Sequence, residues 1–210
     1  YRNFSMSPTR TLQVAQSLYE GAYISYPRTS SQKLPEKLGL KKIIEMIGKN
    51  GAYSKFTSQL FAQNRFKPHE GEKTDSAHVS IYPTGQLAMK LSKEEGSLYD
   101  LIVKRFLSTF APEAKRESMK VSLRIASHIF IADGTRTIEE GWFAFYRPYL
   151  HLEEITLPEF KEGERVLIEK LEKLEKETQP PRRYTPASII RELERQNLGT
   201  KATRSVVVDT

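Results

Sequence analysis

The sequence predicts an α+β protein of more than one domain: a mostly helical region over 1–112, a β-rich segment over 113–180, and the start of a second helical region over 181–210. Three observations carry this prediction. Apolar residues recur at helical spacing as far as Phe110, the period drops to two from Met119, and helix-start chemistry returns at Thr185-Pro186. At 210 residues the chain is long enough to bury a sizeable core.

Taken in order, Ser7 reads as an N-cap with Pro8 at the first helical position. Leu12, Ala15, Leu18, Tyr19 and Ala22 follow on one face, and Glu20-Gly21 ends the helix. Tyr23–Tyr26 is then a strand or an extended link. Pro35 opens a second helix, whose Leu40, Ile43, Ile44 and Ile47 face a core, and the stretch from Gly48 to Gly51 closes it. Two short helices meeting through a tight connection in a basic region fit a helix-turn-helix-like arrangement, and equally a plain helical pair.

Residues 65–85 carry Pro68, Gly71, Pro83 and Gly85 and read as a loop, with His78 inside it. Ser92 and Glu95 form a capping-box pattern, and Leu98, Leu101, Ile102, Phe106 and Phe110 line the buried side of the helix behind them until Pro112. Met119, Val121, Leu123 and Ile125 alternate with polar residues as a half-buried strand does. Ile129–Ala132, Thr135–Ile138 and Trp142–Tyr146 read as further short strands, with a hairpin turn at Asp133-Gly134. Val166–Lys176 is ambiguous: Leu167, Leu171 and Leu174 keep helical spacing, whereas Val166 and Ile168 alternate. Thr185 and Pro186 start a helix with Ile189, Ile190 and Leu193 on one face, and Gly199 stops it. Thr200 starts the next, whose first turn carries Lys201, Thr203 and Arg204. Free amides, a hydroxyl and two cations suit a phosphate, though the same residues suit a solvated helix start.

The charge is uneven. Residues 1–112 hold 16 basic and 9 acidic residues and 181–210 hold 6 and 3, whereas 113–180 hold 11 and 14. The basic parts fit a polyanion-binding surface. The chain has no cysteine, which excludes a disulfide framework and thiolate metal sites in this segment, and no apolar run of about 18 residues that would span a membrane. It shows no signal-peptide pattern, and its end falls inside an apparent helix, as in a piece of a larger protein.

In the stretch YISYPRTSSQ, Tyr23–Gln32, Tyr26 and Arg28 project to one side of an extended segment, and Pro27 between them fixes one backbone angle and pushes Tyr26 into an extended conformation. A phenol beside a guanidinium makes a nucleophile and a phosphate clamp, because the guanidinium fork matches phosphate oxygens. Among 10 tyrosines, however, one beside a proline is more often packing or turn chemistry.

The segment resembles the active-site segment of type IA DNA topoisomerases, most of all the archaeal topoisomerase I and topoisomerase III branches. TDSAHVSIYPTG at Thr74–Gly85 and TQPPRRYTPASIIRELERQNLGTKATR at Thr178–Arg204 are similar to the same family in the same order. Val79 departs from the proline common after the histidine.

The resemblance implies that Tyr26 attacks a single-strand DNA phosphodiester to give a 5′-phosphotyrosyl link, with Arg28 and His78 as its catalytic partners. An ordinary tyrosine keeps its proton to about pH 10, so a phenol nucleophile needs such help. Arg182, Arg183, Lys201, Thr203 and Arg204 would grip single-stranded DNA. Within a family toroid, 1–112 would be the domain that lifts with Tyr26, 113–180 half of the hinge arch, and 181–210 the return into the gripping domain. Residues 164–177 are then expected as a strand, with a sheet edge left exposed. Mg2+ would be bound by a Toprim domain that nothing here resembles, so the segment alone is expected to be inert. The expected partner is DNA, with no membrane and no small-molecule substrate, in a monomer acting on the chromosome in the cytoplasm. The alternatives are a non-catalytic helix-turn-helix DNA-binding module and the topoisomerase half of a reverse gyrase.

Overall fold

The computed structural model describes residues 3–87 and 90–209. Their elements run α1 (Pro8–Glu20), α2 (Leu40–Gly48), α3 (Gly51–Ala62), α4 (Lys93–Ser108), β1 (Lys115–Ile125), β2 (His128–Glu139), α5 (Trp142–Tyr146), α6 (Pro186–Arg195) and α7 (Arg204–Asp209). The architecture is α+β, with one antiparallel pair of strands among the described residues.

Packing separates two units. The first comprises Tyr1–Ala114, Glu140–His151 and Tyr184–Thr210; the second comprises Lys115–Glu139 and Leu152–Arg183. The fully buried side chains Leu18, Ile24, Ile44, Leu60, Val103, Leu107, Phe110 and Phe145 all belong to the first unit. Its helices begin where the sequence places caps. Ser7 accepts a hydrogen bond from the Arg10 amide, and Ser92 with Glu95 closes a full capping box at α4. Arg65 finishes the far end of α4, donating from Nε to the Phe110 carbonyl at 2.7 Å and from its NH2 group to the Ala111 carbonyl at 3.2 Å. Those carbonyls belong to the turn just beyond the helix.

Four expectations need correction. The tight helical pair is α2 with α3, joined through Lys49 and the N-cap Asn50, whereas the whole Tyr23–Gln32 segment separates α1 from α2. Gly48 permits that approach, since a Cβ there would stand 2.5 Å from Thr57 Oγ1. Trp142–Tyr146 is a helix, because burial of Phe143 and Phe145 in the core outweighs the strand preference of an aromatic run. Gly141 starts it at φ +48°, where a Cβ would lie 2.2 Å from the Glu113 carbonyl oxygen, so only glycine fits. The hairpin turns at Ala126 and Ser127, not at Asp133-Gly134, and β2 is continuous. Gly134 faces Met119 across the ladder, and its missing side chain lets Leu157 and the Ile155 carbonyl come close.

The fourth correction concerns 164–177, which forms neither strand nor helix. Leu167 is 90 % exposed and Leu171 and Leu174 are exposed too, so no ladder and no apolar surface fixes the segment. The β-rich unit is otherwise as the alternation predicts: Met119, Val121, Leu123 and Ile125 are the partly covered side of β1. Lys115–Glu139 and Arg136–Glu117 ion pairs at 2.7 Å bridge the two strands. Beyond β2, Thr135 and Ile155 exchange backbone hydrogen bonds.

Candidate active site

Tyr26 sits on an extended segment that two anchors hold. Ile24 and Pro27 are buried beneath it. Backbone groups then tie it to the loop over 70–84: the Ser25 amide donates to the Tyr82 carbonyl at 2.9 Å, and the Thr84 amide to the Tyr23 carbonyl at 3.0 Å. Ser25 adds two bonds of its own, accepting from the Tyr82 amide and donating to the Ser80 carbonyl. Further along, the Gln32 amide donates to the Lys73 carbonyl and the Ser80 amide to the Lys33 carbonyl. Two irregular stretches far apart in sequence thus satisfy each other's backbone, as a loop lying on a core must.

This clamp brings the three predicted catalytic side chains together. The Tyr26 and His78 rings lie with centroids 4.5 Å apart, and the Tyr19 ring meets Tyr26 edge-on at 5.3 Å. Tyr26, Arg28 and His78 line one open cavity of about 690 Å³ with Lys73, Thr200 and Lys201. The Arg28 Nε is buried without a hydrogen-bond partner. An unpaired buried N–H is costly.

Asp75 organises the rim. Its Oδ2 accepts from Lys201 Nζ at 2.9 Å and from the amide and hydroxyl of Ser30, and its Oδ1 accepts from the amides of Ala77 and His78. The Lys201 bond above all, with the backbone donors, holds its carboxyl well below the usual carboxylate range. Nearby, Lys73 pairs with Glu194 at 3.4 Å.

A family model described as DNA topoisomerase matches residues 1–210. The chain belongs to the DNA topoisomerase family. It is 45 % identical over its whole length to DNA topoisomerase 1 of Pyrococcus horikoshii, of which it covers 31 %. It is also 45 % identical, over 99 % of its length, to DNA topoisomerase 1 of Methanothermobacter thermautotrophicus, covering 29 % of that protein. To human DNA topoisomerase 3-alpha it is 30 % identical over its whole length, covering 21 %. The chain thus spans less than a third of these topoisomerases.

Among the residues expected to grip DNA, Lys201 and Arg204 reach the cavity lining. Arg204 also serves the chain itself, donating to the Leu198 and Gly199 carbonyls. Thr203 bonds Thr200 instead. The second of the two helix starts moves, since α7 begins at Arg204 and 200–203 form a turn before it. Arg182 and Arg183 are exposed residues of the other unit and do not line the cavity. Sequence reasoning missed Lys73, Asp75 and Glu194. Asp75 lay inside the quoted Thr74–Gly85 match and Lys73 just before it, but only folding shows their partners. Among the described residues no three His, Asp or Glu side chains gather to hold a metal ion, and no helix is long and apolar enough to cross a membrane. Asp75 and Glu194, the carboxylates nearest the cavity, each already hold a lysine, so they do not fit the magnesium expected of the family.

Proposed function

We propose that this chain is the nucleophile-bearing part of a type IA DNA topoisomerase. In the whole protein Tyr26 attacks a phosphodiester of one DNA strand. The phenol oxygen bonds to phosphorus and loses its proton, the bond to the 3′ oxygen breaks, and that oxygen takes up a proton. The 5′-phosphotyrosyl link keeps the energy of the diester, so religation reverses the step without ATP after a strand has passed. Negatively supercoiled DNA is relaxed.

The convergence of Tyr26, Arg28 and His78 on one cavity carries this reading. Arg28 in the cavity lining supports a clamp on a phosphate oxygen, where charge grows as the nucleophile adds. His78 would hydrogen-bond the phosphate or the leaving 3′ oxygen. Lys73 and Lys201 would lie along the strand's path, each held by a carboxylate. Magnesium would be held by other parts of the protein, and the chain alone would relax nothing. The reading extends to a monomer that prefers single strands and works on the chromosome in the cytoplasm.

Tyr26→Phe in the full-length protein tests it, because only a hydroxyl is removed. Covalent DNA adducts and plasmid relaxation should vanish while DNA affinity and folding persist. Adducts that survive in this variant would overturn the assignment.

A further inference from the structure

Another cavity lies elsewhere on the helical unit and contains none of the residues just discussed. It measures about 860 Å³ and opens between the 64–69 stretch, the end of α4 and Trp142. A second cavity of about 750 Å³ adjoins it, sharing Asn64, Phe66 and Lys67, and extends to Lys41 and Lys42. Together they form a groove lined by the cations Lys41, Lys42, Arg65, Lys67 and Arg105, with His69 beside them. The carboxylates along it are fewer: Glu36, Glu45 and Glu113.

Aromatic faces interleave with these cations. Lys41 Nζ stands 4.9 Å from the centre of the Phe66 ring and 5.9 Å from that of Phe61. The Arg105 guanidinium lies 5.8 Å from Trp142 and 5.4 Å from Tyr146. Phe66 and Trp142 pack against the core and stay half-exposed. The groove floor is fixed, because Arg65 is bonded to the end of α4 and the His69 amide donates to the Thr109 carbonyl at 2.7 Å.

We infer that this groove is a second binding site for single-stranded nucleic acid, separate from the Tyr26 cavity. Excess positive charge takes the phosphates, and the flat surfaces of Phe66, Trp142 and Arg105 take bases. An unpaired strand fits better than a duplex, since stacking of this kind requires bases free of a partner. The inference rests on the proposed function only for the nature of the ligand.

Trp142 is the sole tryptophan in the chain, so its fluorescence reports this groove. The 210-residue chain would be titrated with oligothymidylate at several salt concentrations. Saturable quenching is expected, weakening as salt rises. Lys41→Glu with Lys67→Glu should raise the midpoint at least about tenfold and lower the salt slope by about 1.4, two contacts' worth. Both lysines are exposed, and far-UV circular dichroism confirms that the variant folds. Lys73→Glu with Lys201→Glu, at the Tyr26 cavity, should leave the Trp142 midpoint within twofold. Absence of quenching, or quenching abolished by the second pair and not the first, overturns the groove. Adduct formation in the full-length protein is a separate readout, so a failure here is distinguishable from a failure of the Tyr26 assignment.

Discussion

The helical unit hides Leu107, Phe110 and Phe145 completely, whereas the ribbon unit leaves Ile129 63 % and Ile131 57 % exposed. One is held by a packed interior, the other by a two-strand ladder and surface ion pairs. Every residue of the Tyr26 cavity belongs to the first. The difference teaches that the geometry around Tyr26 is inherited from a core, since Ile24 in the same segment is itself part of that core. A reacting group must be held within a fraction of an ångström, and only packed surroundings do that. A two-strand ribbon with only one partly covered side has less such rigidity.

The comparison can be broken by mutation. Phe110→Ala should produce the largest change, a loss of about 3–5 kcal/mol of stability by denaturant unfolding, because it opens a cavity in the packed interior. A loss below about 1 kcal/mol would mean that the core does not carry the unit. Arg28→Lys in the full-length protein keeps the charge and removes the fork. Cleavage at saturating DNA should slow by the equivalent of about 1–3 kcal/mol, a charge-assisted hydrogen bond's worth, with binding little altered. Leu167→Ser, in the ribbon unit, should shift stability by no more than about 0.5 kcal/mol, and a larger loss would reveal packing that its exposure denies.

The smallest effect expected is one of pH. Asp75 has its folded-state value lowered, so its contribution is present at neutral pH and is lost only as the pH falls through that lowered value. The amide signals of Ala77 and His78 should therefore stay flat from about pH 7 to about pH 4.5. A titration with a midpoint in the ordinary carboxylate range near 4 would show that Lys201 and the backbone donors do not hold the carboxylate in solution.

Much of the site was legible because its chemistry is local. Tyr26, Pro27 and Arg28 are neighbours, His78 lies in a stretch whose prolines and glycines mark a loop, and the caps at Ser7, Ser92 and Thr185 fall where their side chains indicate. What escaped depends on contacts between distant residues. Helix α3 went unread because its buried Tyr53, Thr57 and Leu60 include a polar member and stand among Ser, Lys and Gln. The aromatic run after Gly141 reads as strand until the core around Phe145 is known. Gly134 signals a turn by composition, yet serves a close approach by Leu157. Neither Lys73 nor Lys201 announces its carboxylate partner, since those partners lie 121 and 126 residues away.

The bonds around Asp75 also set an order of failure. The carboxylate's other donors, from Ser30, Ala77 and His78, come from the same pair of stapled stretches, but Lys201 reaches in from the turn before α7. If that turn is pulled away, the lysine lets go first and the remaining donors stay in place. Tyr26, Arg28 and His78 then stay aligned as one cartridge.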